Sequence, residues 1–442
     1  MIAAHRRAPA IDLAQRIGFW AENFSPTTTR LARINASVRD FLGCVIAGTR
    51  RPELRPALWL ANGGCVPVWG LADSFDPAGA ALVTGTAGSL LQLNDFYAPG
   101  ASHPSSPVIA AAWSALHADG GRRSDHFLRA VAAGYEVANR IAGACVPAQM
   151  LSGSTPTATA GALGAAVAAG LIRGLDGAGI GRAIANAALL LPLAPIAAMR
   201  AHGELVPLHG GLAARAGYEA ASVAREAHAG IGILEGDDRV PGLIGLLGGD
   251  PADMAPESWR GETIDAIGWK FFPACLATHV ALEAALRMGR VDASLLTRVI
   301  VRQPKGLLDG IVASGPREAG LYDRLMSLRW VLARALETNR YDYPDALVDS
   351  NHTTDFAQRI DIVHDSSLDE FLPERLCVTL ELHSGSDVRR IAYQRPACAD
   401  PEGPGPRGWT TTLDELRLRK KFDSLVAAAA PLTWSLGQLG IG

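Results

Sequence analysis

Ala160-Gly-Ala-Leu-Gly-Ala-Ala-Val-Ala-Ala-Gly-Leu-Ile172 is built of alanine, glycine and aliphatic residues alone. Alanine has the best helix propensity, and its small side chain lets helix axes approach closely. The run falls short of the roughly 20 clean apolar residues that a membrane span requires. It therefore predicts a helix packed backbone to backbone inside a helical core. The run Ala183 to Met199, with Asn186, Pro192 and Pro195 inside it, reads the same way.

Outward from these runs, apolar residues recur at helical spacing from Ile11 to about Ala227, as in Leu31 to Leu42 and Phe127 to Val137. Strand-like alternation is almost absent there. After roughly residue 265, Leu296 to Arg302, Leu376 to Leu382 and Val388 to Tyr393 read as short strands rich in β-branched residues, with a helix over Asp323 to Leu336 between them. Pro396 to Gly408 is a linker dense in proline and glycine. Thr412 with Glu415 then forms a capping box that opens a last helix carrying Leu416, Phe422 and Leu425, similar in texture to the first part. The predicted fold is mainly α: a large all-helical domain from residues 1–265 and 403–442, with an inserted smaller α+β domain at 266–402. A chain of 442 residues fits two domains and predicts a cleft between them.

Balanced charge, 41 Lys and Arg against 44 Asp and Glu, gives no basic field for nucleic acid or anionic lipid. A small-molecule ligand is the expected partner, with no nucleic acid and no membrane. Six cysteines, Cys44, Cys65, Cys145, Cys275, Cys377 and Cys398, lack any paired metal-ligand spacing and read as those of a reduced intracellular protein. Arg6 and Arg7 precede no apolar run of signal-peptide length, so a cytoplasmic location is expected.

Three stretches carry chemistry. In Leu91-Gln-Leu-Asn-Asp-Phe-Tyr-Ala-Pro-Gly-Ala-Ser-His-Pro, a loop ahead of a helix starting near Pro104 holds Asp95 and His103. A helix entry favours a neutral imidazole or a bound anion, so His103 suits a general base; alternatively Asp95 and His103 cap the helix. In Gly268-Trp-Lys-Phe-Phe-Pro-Ala-Cys-Leu-Ala-Thr-His, aromatic residues enclose Lys270 at the proposed domain junction. Desolvation lowers a lysine's pKa and equips it to accept a proton or bind a carboxylate. Cys275 and His279 are one turn apart and are expected to share a helix face; a metal would need a further ligand, so none is expected. In Met199 to Gly217, Arg200, His202, His209 and Arg215 are expected close together, with Gly210 and Gly211 allowing close backbone approach. No nucleotide-binding loop or nucleophile elbow is present.

Read in this order, the three stretches resemble the MmgE/PrpD family over nearly the whole chain. Asp40-Phe-Leu-Gly-Cys-Val-Ile-Ala-Gly, Gly85-Thr-Ala, Ser327-Leu-Arg-Trp, Asp414-Glu-Leu and Lys421-Phe422 support the resemblance. The family includes 2-methylcitrate dehydratase, cis-aconitate decarboxylase and iminodisuccinate epimerase. The resemblance implies a cofactor-independent, metal-independent lyase or isomerase that moves a proton next to the carboxylate of a small organic acid. It also implies a homodimer and an active site between a helical and an α+β domain. Carried over by position, His103 and Lys270 match the family's active-site histidine and lysine, and Asp95 the second acid of its Asp-Asp pair. Gln92 and Asn94 stand where acids are usual, Thr155 where a histidine is usual, Val206 where a lysine is usual and Trp330 where a tyrosine is usual. Losing a lysine and a histidine removes two carboxylate partners, worth about 1.5–3 kcal/mol per charged hydrogen bond. A tricarboxylate thus fits poorly unless Arg200 or His202 supplies a replacement cation.

Overall fold

A computed structural model describes residues 11–118, 120, 126–308, 320–372, 375–396 and 412–427. The longer helices are α1 (Leu13–Asn23), α2 (Thr28–Thr49), α3 (Pro77–Leu90), α4 (Ser105–Ala118), α5 (Phe127–Cys145), α6 (Pro156–Ile172), α7 (Gly177–Leu190), α8 (Leu208–Val223), α9 (His279–Arg287), α10 (Leu328–Thr338) and α11 (Thr412–Val426). The fold is mainly α with an α+β part, in the class that the sequence texture predicts.

Every residue of α6 is buried, and α4, α5, α7 and α8 pack around it. Small side chains make that possible. A Cβ added at Gly164 would lie 2.4 Å from the Gly134 carbonyl oxygen of α5, so the two backbones touch only because neither residue has a side chain. The run after Ala183 differs from its predicted burial. Asn186 is buried, but Leu189 and Leu190 in the last turn of α7 and Leu193 beyond it are exposed.

Among the described residues of the first part, strands are short: β1 (Gly63–Pro67) pairs with β2 (Ser74–Phe75), and β3 (Phe96–Tyr97) pairs with β4 (Ile267–Gly268). The second part holds a four-stranded sheet in the order β6-β5-β7-β8, from β5 (Arg298–Gln303), β6 (Ile360–His364), β7 (Arg375–Ser384) and β8 (Asp387–Pro396). β6, which the sequence reading passes over, runs parallel to β5, and the helical crossover that a parallel pair requires includes α10. The helix predicted over Asp323 to Leu336 is broken. A short helix Leu321–Met326 ends at Ser327, whose extended backbone and side-chain bond to the Trp330 amide start α10 afresh.

Two large apolar cores and two small clusters form among the described residues. The larger gathers α1 to α8 together with Leu321, Leu325, Trp330 and Leu425; the smaller lies between the sheet and α9 and α10. Ala274 belongs to the larger core, whereas Cys275 and Ala277 pack against the smaller. The α11 helix lies on α2. The linker predicted at Pro396 to Gly408 falls almost wholly outside the described residues, as do Cys398 and the side chains of the Thr412 capping box.

Candidate active site

The histidine and lysine stretches are hydrogen-bonded neighbours. Phe96 pairs with Gly268 and Tyr97 with Ile267 in the β3–β4 ribbon, which sets the loop carrying Asp95 and His103 against the segment carrying Lys270. A Cβ on Gly268 would fall 2.3 Å from the Phe96 ring. Gly268→Ala is expected to cost about 1–3 kcal/mol through overpacking, read as a lower denaturant midpoint. An unchanged midpoint would show that the ring yields freely.

His103 is half-buried just ahead of α4. Its backbone N–H donates to Thr157 Oγ1 at 3.0 Å, and Nδ1 lies 2.7 Å from the Asp95 carbonyl oxygen. A carbonyl only accepts, so Nδ1 carries the proton and Nε2 presents its lone pair. Desolvation, reinforced by the Lys270 charge, holds the imidazole well below its ordinary pKa of 6.5. The ring is therefore neutral at physiological pH.

Asp95 is fully buried. Its Oδ1 accepts from the Ser105 amide at 3.2 Å, capping α4, and its Oδ2 accepts from the Tyr135 hydroxyl at 2.8 Å. Burial pushes the carboxyl up to about 6 in spite of these bonds. Asp95→Ala would orphan both donors and is expected to cost about 1–3 kcal/mol, whereas Asp95→Asn keeps an acceptor for Ser105. With its folded pKa above the unfolded value, ionisation of Asp95 opposes folding: wild-type stability should fall as pH rises from about 4 through about 6. A urea titration series should show that fall shrink in Asp95→Asn; an identical fall in the variant would remove Asp95 as its source.

Lys270 is completely buried, and its Nζ has no hydrogen-bond partner among the described residues. Desolvation lowers its pKa to about 8; Lys421 pushes it further down, while Cys275, Cys44 and Asp95 oppose the shift. His209, in the first turn of α8, is buried with Nδ1 unpartnered and is pushed down to about 4, first by desolvation and also by Lys270. Gly211 lets α8 approach α3, since a Cβ there would strike the Leu82 carbonyl oxygen. Cys275 is close enough to feel the Lys270 charge, although burial pushes its thiol up.

Asp95, His103, Lys270, His209 and Cys275 thus form one electrostatic cluster, and the other sequence candidates take different places. Cys275 and His279 do not share a helix face: a 3-10 turn, Leu276–Thr278, separates them and α9 begins at His279. The third stretch presents its side chains to different surroundings. Arg200 is exposed, buried His202 bonds Asp323, and Arg215 pairs with Glu219 at 2.9 Å. Thr155 caps α6 by position and donates its N–H to the Ala194 carbonyl oxygen at 3.2 Å. Gln92, at φ 52, and Asn94, whose amide donates to Ser105 Oγ at 3.2 Å, are buried beside Asp95 in sequence. Trp330 is buried in the larger core with the Arg324 guanidinium 5.6 Å from its ring centroid.

Thr157, Tyr135 and Cys44 escape the sequence reading as site neighbours, and Asp40 and Lys421 enter it only as marks of resemblance. Lys421 Nζ bonds the Asp40 carboxylate, and donates to the Leu93 carbonyl oxygen at 2.8 Å. Among the described residues no group of three or more His, Cys, Asp or Glu side chains is placed to hold a metal ion, and no helix is long and apolar enough to cross a membrane.

Fold and cluster together define a mainly α protein with an α+β part, in which the β3–β4 ribbon brings a half-buried histidine and a buried lysine onto neighbouring segments. The model of the MmgE/PrpD N-terminal domain matches residues 18–240, half of the chain, and the chain belongs to the MmgE/PrpD family. Members of that family are generally lyases and dehydratases. Comparison with curated proteins returns no significant match.

Proposed function

We propose that this protein is a cofactor-independent lyase or isomerase that moves a proton at the carbon α to a carboxylate of a small organic acid. The observation that carries this reading is the β3–β4 pairing, which sets a histidine with an open Nε2 beside a buried lysine. His103, neutral near pH 7, is the base that takes the α-proton. Lys270, whose ammonium has no acceptor among the described residues, binds the carboxylate or the developing enolate and returns a proton. Return to the opposite face epimerises; loss of a β-hydroxyl as water, protonated by Lys270, dehydrates; and loss of carbon dioxide in place of the α-proton leaves a carbanion that Lys270 protonates.

Charge narrows the substrate. Lys270 is the cation that bears on His103, His209 and Cys275, and both imidazoles are held neutral. An acid with few carboxylates matches such a site better than a tricarboxylate. Because Lys270 is sealed from solvent, substrate entry requires the surrounding loops to part. We further propose a cytoplasmic homodimer in which residues 266–402 form an α+β domain inserted into a helical body of residues 1–265 and 403–442, with His103, Lys270 and Asp95 as the reacting and supporting groups.

Proton NMR in D₂O with a panel of small mono-, di- and tricarboxylic acids, hydroxy and imino acids included, tests the reaction. Loss of a C–H signal without new products establishes α-proton exchange and favours epimerisation, whereas new vinyl signals indicate elimination or decarboxylation. Folded protein that leaves every acid unchanged would instead support a binding relative without catalysis.

A further inference from the structure

The last helix among the described residues, α11, reaches both halves of the site. From α11, Lys421 bonds Asp40 and the Leu93 carbonyl, two residues before Asp95. Arg417, on the same helix, lies 3.9 Å from the ring centroid of Phe271, the residue after Lys270. Phe422 and Leu425 pack over Gly43, where a Cβ would meet each at 3.2 Å, and Arg50 of the α2 C-terminus donates to the Leu425 carbonyl oxygen at 3.1 Å. Lys421 and Asp40 are themselves almost completely buried. A lysine that crosses from α11 to bond a backbone carbonyl inside the histidine loop does more than seat its own helix. Apolar contacts alone would suffice for seating.

We propose that α11 positions the active site, with Lys421 holding the Asp95–His103 loop through Leu93 and Arg417 holding the Lys270 segment through Phe271. The helix contacts the residues flanking both strands of the β3–β4 ribbon, Leu93 before β3 and Phe271 after β4, so the spacing between the base and the lysine depends on it. Lys421 and Arg417 touch no reacting atom in this scheme; they are positioning residues. The inference rests on the function proposed above for its turnover readout and on the structure alone for its exchange readout.

The test uses full-length protein carrying Lys421→Met, Lys421→Arg, Arg417→Ala or the double change Asp40→Asn with Lys421→Met, which removes both buried charges so that none is left unpaired. Exposed Lys420→Met on the same helix serves as control. Amide hydrogen exchange in segments 91–97 and 267–271 is expected to rise about tenfold or more in the Lys421→Met and double variants, with segments 160–172 and 376–382 unchanged. Turnover should fall about 10–100-fold with KM nearly constant, Lys421→Arg should recover part of the loss, and Arg417→Ala should loosen segment 267–271 selectively. Unchanged exchange in both site segments, or an equal rise throughout the core, overturns the proposal. If wild-type protein turns over no acid, a local rise in exchange still upholds the positioning role, and the reaction assignment fails instead.

Discussion

Replacing His103 by alanine is expected to reduce α-proton exchange by about 10²–10⁴-fold, the usual contribution of a placed general base, with a melting temperature close to that of the wild type. The ring makes one side-chain hydrogen bond, to the Asp95 carbonyl, while the cap of α4 belongs to the Asp95 carboxylate. A variant that keeps its turnover and loses stability would reassign His103 as a structural residue. The pH profile sharpens the roles. With the imidazole held well below 6.5, the acid limb of kcat/KM should lie below pH 6.5, and with Lys270 lowered to about 8 the basic limb should lie near pH 8. If Lys270 is the base, activity rises through pH 8 instead of falling.

Lys270→Met should abolish turnover and make the protein more stable. A lysine whose folded pKa lies below its unfolded value is penalised when charged; the penalty is complete below about pH 8 and disappears as pH rises towards the unfolded value near 10.4. Two to three pKa units correspond to about 3 kcal/mol, and methionine fills a similar volume without charge. Urea titrations at pH 7 should therefore show Lys270→Met above the wild type, with the gap closing between pH 8 and pH 10. A variant that is less stable at pH 7 would mean that the ammonium has a stabilising partner, and the proposed carboxylate site would lose its main support.

What the sequence shows of this arrangement follows the range of the interactions. Helix α6 is legible because alanine and glycine packing is written in the composition of one segment. His103 and Lys270 stand out because each lies in a short stretch of unusual chemistry. Longer-range features are silent: the Tyr135 bond to Asp95 and the Lys421 bond to Asp40 join segments with no shared local pattern. Ser327 interrupts an apolar periodicity that otherwise runs on, since a serine costs little in helix propensity and its role as a cap is apparent only when the chain turns there. The Cys275–His279 spacing misleads for a related reason. Four residues make one turn only if all of them are helical, and Cys275 has an extended backbone, φ −56 and ψ 136.

The partner that fixes the tautomer of His103 is a main-chain carbonyl, not a side chain. Every amino acid supplies that atom, so no substitution at position 95 can delete it. Drift there can alter the stability of the loop, through Tyr135 and Ser105, while the lone pair of Nε2 stays where it is. Relatives can therefore keep the same base orientation with other residues at this position, and a search for an invariant partner of the histidine would overlook the group that orients it.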